Sequence, residues 1–534
     1  LIGQTLALVR RALRVDVRNL RSHLFRGALA ALLLFFLFST HQMQLVISAP
    51  GQTLFSWIAY TNYWFITLAG VSIFASAITE EKEEQTLGLL RMANISGLSV
   101  LLGKWIPRLI GAMLLIAVQV PFTALAVTLG GVMWNQITAT YLTLLAHLFF
   151  VGNVGLLCSV VMPRTGAACG LGIILLLVIY LGPFIVPPLC GLAVNGTLSS
   201  GWPPPPGTML AGIYWTGEQL GRMNALGSLF EILQTTFADH WTPFQVVSNF
   251  TGGLVFFGLS WLLYEPCTRN EVEPSAESGA MRWLRRVGRK KDKAGPRAWS
   301  HALVWKDFQY LAGGSRMTVI KFVVYGLAIF GLAMISVVDR GTWQAKEIAG
   351  IGFWTASMVM LVELPLITTR LYRNEITQKT WSVLMTLPQS LPEVAYAKLG
   401  GGLLALAPAV AWMGISALFL GDEILDFFWQ LLKEPAAILG FGYGVLQLLM
   451  GIQLATWLSV AANWAIWPVA IFTSGFIVFM GNMLVVTCLS ATLLLVVRDD
   501  NGTGVLAVMC LGALTLNVVL HLLVRDRLKR AAAD

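Results

Sequence analysis

The chain has 534 residues, 56% of them hydrophobic and only 12% charged, with a mean hydropathy of +0.72 and a net charge of +9. A soluble domain of that length cannot hide so much apolar surface, so a soluble fold is excluded and an all-α polytopic membrane protein is expected. The six cysteines are scattered without CxxC spacing, so neither a disulfide framework nor a zinc site is indicated.

In chain order, the first element is an amphipathic segment. Leu6, Val9, Leu13, Val17 and Leu20 recur at helical spacing while Arg10, Arg11, Arg14, Arg18 and Arg21 cover the other side, the pattern of a helix lying in the membrane interface. A crossing needs roughly 20 apolar residues. On that ruler the spans fall near 27–47, 57–78, 106–130, 138–162, 167–189, 242–264, 317–338, 348–369, 399–420, 436–461, 467–495 and 503–524. That makes about twelve transmembrane helices. Residues 190–241 form a long outer segment with Trp202, the run Pro203–Pro206 and Trp215, where a cap or dipping helices over one side of an exit are expected. Its counterpart in the second half, Arg498 to Thr503, is very short.

Residues 265–296 are the one extended polar stretch, acidic at Glu265, Glu271, Glu273 and Glu277 and basic from Arg282 to Lys293. They read either as a solvated linker whose basic end rests on anionic lipid or as a regulatory docking segment. A weaker interfacial helix then precedes the seventh span, with Trp299, Leu303, Phe308 and Leu311 alternating with Arg297, Lys306 and Asp307. The expected organisation is a first six-span unit at 1–264, a cytoplasmic charged linker at 265–296 and a second six-span unit at 297–534. This is a parallel duplication, because an even number of spans keeps both copies in one orientation. With both termini on one side, only Arg222, Arg340, Lys346, Lys433 and Arg498 of the 36 Lys and Arg fall on the other. That asymmetry follows the positive-inside rule and puts both termini in the cytoplasm, with the multi-pass chain in the cell (inner or plasma) membrane. The basic charge is thus a topology signal and an attraction to the lipid bilayer, not a nucleic-acid footprint.

One stretch occurs twice. Glu80-Glu81-Lys82-Glu83-Glu84-Gln85-Thr86-Leu87-Gly88-Leu89-Leu90 runs on to Ser96 and Lys104, and 294 residues later Glu375, Thr380, Leu384, Ser390, Val394 and Lys398 match Glu81, Thr86, Leu90, Ser96, Val100 and Lys104 without a gap. Each copy is expected to be a short cytoplasmic helix, acidic in its first turn. A two-residue apolar knob follows, Leu87 with Leu90 and Trp381 with Leu384, three apart on one face. A charged connector is the plainer reading of either copy alone.

The doubled stretch resembles the permease subunit of ABC-2-type transporters, in which a Glu-rich turn, a Thr-x-x-x-Leu step and a downstream Lys follow the second span. The interfacial helix and six spans per half extend the resemblance to nearly the whole chain. It implies that Glu80–Asn94 and Asn374–Leu387 are coupling helices seated on nucleotide-binding subunits. Glu80, Glu81, Glu84, Thr86, Leu87 and Leu90 would carry the contact in one half, and Glu375, Thr380, Trp381 and Leu384 in the other. It implies two copies of an ABC-type ATPase as partners and leaves room for accessory membrane or extracytoplasmic proteins. The chain itself would be no enzyme and would bind no cofactor or metal, since ATP and magnesium belong to the partner. Consistent with that, Gly97 to Gly103-Lys104 is one residue too long for a phosphate-binding loop, and Trp105 stands where the magnesium ligand belongs. Export of a hydrophobic or lipid-like substrate is what the family implies.

Glu363 is the one acid placed clearly inside a span, so it is the candidate for a transport path. It could bind a cationic group, exchange a proton, or pair structurally, with Arg370 below it able to reach upward. Its first-half equivalent is Ala69. His147, Asn153, Gln453 and Asn482 read as interhelical hydrogen-bonding groups. The rival class is a twelve-span ion-coupled secondary transporter, also a parallel six-plus-six repeat. That class would carry a short basic turn after span two and several intramembrane charges. A membrane enzyme would need clustered acids, histidines or a nucleophile at membrane depth, and none converges.

Overall fold

Apolar runs as long as a bilayer is thick leave the backbone one simple solution, to bond each N–H to a carbonyl of its own segment. The computed structural model describes residues 2–18, 20–43, 50–93, 95–195, 209–234, 244–269, 299, 301–340, 345–461, 467–496 and 503–533, and every regular element among them is a helix. Ten of these are long and apolar enough to cross a membrane. The chain divides into two compact units, residues 1–194 with 199–291 and residues 195–198 with 292–534.

The first unit comprises α1 (Ile2–Arg18), α2 (Leu20–Met43), α3 (Pro50–Glu83), α4 (Leu87–Met92), α5 (Gly97–Thr128), α6 (Trp134–Val161), α7 (Thr165–Asn195), α8 (Met209–Arg222), α9 (Ala225–Ile232) and α10 (Phe244–Arg269). α6 is its centre, burying Leu144, Leu148, Phe150, Val151, Val154 and Leu156, with α3 and α10 packed along it. Gly155 permits the α3–α6 approach, since a Cβ there would lie 2.8 Å from Phe74 Cβ and 3.2 Å from the Ala75 amide. Small residues play that role wherever membrane helices meet closely. α3 and α5 are further joined by a buried reciprocal amide pair, Asn62 and Gln119, with both N···O distances 2.7 Å. His147 bridges α3 and α7 through Thr67 at 2.9 Å and Tyr180 at 3.0 Å, as an interhelical group should. Asn153 instead donates to Phe149 of its own helix.

The second unit comprises α11 (Ala302–Tyr310), α12 (Gly314–Arg340), α13 (Ala345–Thr377), α14 (Trp381–Leu384), α15 (Leu391–Phe419), α16 (Gly421–Lys433), α17 (Pro435–Ala461), α18 (Trp467–Val496) and α19 (Thr503–Ala533). Here α13 packs against α15 and α17, and α19 against α17. Asn482 accepts from Tyr443, joining α17 to α18. α16 is an added amphipathic helix that buries none of its residues.

Two of the expected spans, 27–47 and 167–189, fall on α2 and α7, whose apolar stretches among the described residues are shorter, Leu29–Phe38 and Thr165–Tyr180. The long outer segment contributes α8 and α9. α9 buries Ala225, Leu229 and Ile232, and Gln136 of α6 holds its end by donating to the carbonyls of Ile232 and Gln234. Trp202 and Pro203–Pro206, the linker beyond Arg269, and residues 497–502 lie outside the described residues.

α11 departs from expectation. Its spacing suggests a helix with polar side chains toward headgroups, yet Asp307 is buried. Leu303 and Leu311 pack against a core cluster of Leu371, Tyr372, Trp381, Val394, Val460 and Leu528. Gly401 explains the fit: a Cβ there would come within 2.5 Å of the Val304 carbonyl, so only glycine lets α11 press onto α15.

Candidate functional site

The two copies of the repeated stretch end the second long helix of each unit in the same way. In the first unit Thr86 N–H bonds the Glu81 carbonyl at 3.0 Å and Gln85 N–H bonds Lys82 at 3.2 Å, with Gln85 at φ 56°. In the second, Thr380 N–H bonds Glu375 at 2.9 Å and Lys379 N–H bonds Ile376 at 3.1 Å, with Lys379 at φ 55°. This paired closure with a left-handed residue between is the Schellman C-cap. The side chains then tie each cap shut. The Thr86 hydroxyl and Lys104 ammonium both donate to the Glu81 carboxylate. Thr380 and Lys398 do the same for Glu375, Lys398 at 3.0 Å. Ser96 and Ser390 cap the helices that follow. Glu81, Thr86, Glu375 and Thr380 are thus brought together with their lysines as two matching knots.

The glutamates do not open a helix. Glu80, Glu81 and Glu83 lie in the last turns of α3, and Glu84 is the residue after it. Acids at a helix C-terminus oppose the dipole, and neighbouring cations offset this. Glu81 meets Lys104, and Glu80 accepts from Arg108 at 2.8 Å. Glu83 instead accepts from the Thr165 amide at 2.6 Å, at the start of α7, while Lys82 donates to the carbonyls of Val160 and Met162 at the end of α6. Each sign sits at the helix end that favours it. Glu84 is exposed. The short helices α4 and α14 begin only at Leu87 and Trp381, so the helical pieces are shorter than 80–94 and 374–387. Asn94 lies outside the described residues.

The apolar pairs face inward. Leu87 is 3% exposed and Trp381 1%, and the Trp381 indole donates to the Leu528 carbonyl at 3.0 Å. Leu384 packs on the same cluster, and Leu90 is half-buried. The residues pointing outward are Leu89, 62% exposed, and Val383, 64% exposed, themselves 294 positions apart. Spacing of three identifies a shared face but not which way that face turns, so this distinction was invisible in the sequence.

In the second unit the knot grows into a closed network of four charges. Lys398 is 0% exposed and lies 2.9 Å from both Asp307 oxygens, while Lys306 reaches Glu375 at 2.8 Å. Burial pushes the Asp307 carboxyl above its ordinary value, against the opposing pull of Lys398 and Lys306. Asp307 was hidden among the polar residues of a supposed interfacial face.

Glu363 is paired, but not with Arg370. Its Oε1 accepts from Lys321 and from the Tyr325 hydroxyl, both at 2.6 Å, and its Oε2 is buried without a partner among the described residues. Arg370 lies over the Trp467 ring, 4.5 Å from its centroid. Lys321 lies within the span Gly314–Ala333, so Glu363 is not the solitary charge at that depth. Glu363, Lys321, Arg316 and Arg370 line one cavity of about 550 Å³. No group of three or more His, Cys, Asp or Glu among the described residues is placed to hold a metal ion.

All-helical structure and ten helices of spanning length among the described residues define a multi-pass α-helical membrane protein. No family model, curated protein or solved structure matches the chain.

Proposed function

We propose that the chain is the membrane-spanning component of an ATP-binding-cassette transporter of the ABC-2 permease kind, with two permease units in one polypeptide. On this reading twelve helices form two parallel six-helix repeats, each preceded by an interfacial helix, with both termini and the loops at 84–96 and 378–390 in the cytoplasm of a cell-membrane protein. Two copies of a separate ATPase, carrying ATP and magnesium, seat on those loops. Their closure rocks the units and expels a hydrophobic or lipid-like substrate.

The observation that carries the reading is the recurrence, at one offset, of a Schellman-capped Glu–Thr–Lys knot that fixes a short helix and leaves one apolar residue outward. A connector needs no such duplication, whereas a chain gripping two copies of one partner needs the same grip twice. The contact is therefore assigned to Leu89 and Val383, with Glu81, Thr86, Glu375 and Thr380 as positioning residues and Leu87, Leu90, Trp381 and Leu384 as the inward packing of the loop.

A mild-detergent pull-down of the tagged chain with stoichiometric counting tests this. Two P-loop ATPase copies per chain are expected, and Leu89→Asp with Val383→Asp should abolish their retention without changing membrane insertion. A chain that purifies without any ATPase, or a double variant that retains it, refutes the assignment.

A further inference from the structure

The cavity beside Glu363 is lined by three cations, Arg316, Lys321 and Arg370, against one carboxylate. That carboxylate is already engaged by Lys321 and Tyr325. The net character of the cavity is therefore cationic, and Arg316 has no ion-pair partner among the described residues. Its remaining wall is apolar, and Met317 and Ile320 are exposed at its edge. It is thus a slot with a cationic end and a greasy flank on a membrane-spanning helix.

The first unit resolves the corresponding positions differently. Residues equivalent to Gly402 and Arg370 are Arg108 and Ser76, and the Arg108 guanidinium donates to Ser76 at 3.2 Å and to Glu80 at 2.8 Å. The first unit thus supplies both the cation and its anion from its own chain. In the second, the equivalent of Glu80 is the neutral Asn374, and Gly402 contributes no side chain. The second unit thus carries a cation, Arg370, at the position of Ser76, and no carboxylate at the position of Glu80.

We propose that this cavity binds the phosphate-bearing head of an anionic glycerophospholipid, with Arg316 and Arg370 flanking the phosphate and the acyl chains leaving across Met317 and Ile320. The recognised group is a phosphate oxyanion. The apolar flank favours a lipid over free phosphate as its source. The site does not depend on the permease reading.

The test uses the full chain in a neutral detergent, titrated separately with dihexanoyl phosphatidylglycerol, dihexanoyl phosphatidylcholine and inorganic phosphate, with bound ligand counted by native mass spectrometry. Phosphatidylglycerol should bind tightest. Arg316→Gln should weaken it about fivefold, since each basic residue near an anionic head is worth about 1 kcal/mol. Arg316→Lys should recover most of the loss, and Arg10→Gln, removing an exposed arginine of α1, should change nothing. Should Arg316→Gln elute as aggregate, Ile320→Glu, which sets a carboxylate at the exposed edge, serves instead and should weaken binding likewise. Undiminished binding in the folded variant overturns the proposal. So does inorganic phosphate binding as well as phosphatidylglycerol, which marks a free-anion site. Equal binding of phosphatidylcholine, which marks a slot indifferent to charge, overturns it too.

Discussion

Replacing Lys398 with methionine keeps the side chain's length and removes its charge from a place that water does not reach. The ammonium stands 2.9 Å from both oxygens of Asp307 and 3.0 Å from Glu375. At an effective dielectric of about 20, opposite charges roughly 3 Å apart attract by about 5–6 kcal/mol, and burying each ion costs several kcal/mol in return. The intact network is thus worth little net. Removing one member is another matter, because Asp307 is then a buried carboxylate without its cation, a loss of about 3–5 kcal/mol. Glu375 suffers less, since it keeps Lys306 and Thr380. Lys104 provides an internal control: it is 30% exposed and answers only Glu81. Water can replace it, so Lys104→Met should cost about 1 kcal/mol or less. The measurement is the loss of the monodisperse elution peak after stepped heating in detergent, for each single variant and for Lys398→Met combined with Asp307→Asn. Lys398→Met should lower the midpoint well below that of Lys104→Met, and the added Asp307→Asn should recover part of the loss. Equal shifts for the two lysines, or no recovery, would refute the buried-network argument.

Two further outcomes follow from the helix ends. Gln85→Gly and Lys379→Gly should each raise the same heating midpoint, by up to about 1 kcal/mol of stability. A left-handed residue costs an L side chain about 1–2 kcal/mol, and the unfolded-state entropy of glycine returns roughly half of that; a lowered midpoint for both would show that the turn is not left-handed. Lys82→Met removes the donor that ties the α6 end at Val160 and Met162 to α3, a loss of about 1–3 kcal/mol. Because exposed Arg164 lies in that α6–α7 turn, trypsin should cut there faster in the variant, and an unchanged rate would mean the staple does not hold the turn.

Hydropathy carried most of the fold, because a span is a one-dimensional property of the chain and needs no knowledge of partners. Among the described residues every expected span falls on a helix, although α2 and α7 carry shortened apolar stretches. What could not be read were the facts that depend on which neighbour a side chain meets. Four glutamates within five residues look like a helix start by local electrostatics, but Lys104, Arg108 and the α7 N-terminus, all distant in sequence, let α3 end there instead. Asp307 and Lys398 lie 91 residues apart, so their pairing was hidden by a periodicity that suits an interfacial face equally well. The partnership of Glu363 with Lys321, 42 residues upstream, was hidden likewise. The left-handed residues were silent because Gln85 and Lys379 are not glycine, the usual sequence signal for such a turn.

Where the two units agree and where they part bears on what each part is for. Agreement is closest at the loop: the left-handed residue, the capped Glu–Thr–Lys knot and the outward apolar residue recur position for position. Deeper in the second long helix it fails. The first unit has a π-helical turn at Ile66–Gly70, with Thr67 bound to His147, a neutral polar contact. At the equivalent level the second unit has Glu363 bound to Lys321 and Tyr325, followed by Pro365. Both helices depart from plain apolar sequence at equivalent positions along the chain, one without charge and one with it. On the proposed reading this division is the expected one. Two copies of one ATPase demand two like surfaces, so the loops must match. A single cargo or a resident lipid makes no such demand, so the polar groups at membrane depth are free to serve one unit alone. A secondary transporter would have a reason to place charge at that depth, and as a parallel repeat it would also inherit two such loops. Without a paired partner, however, nothing requires those loops to stay matched while the deeper positions diverge.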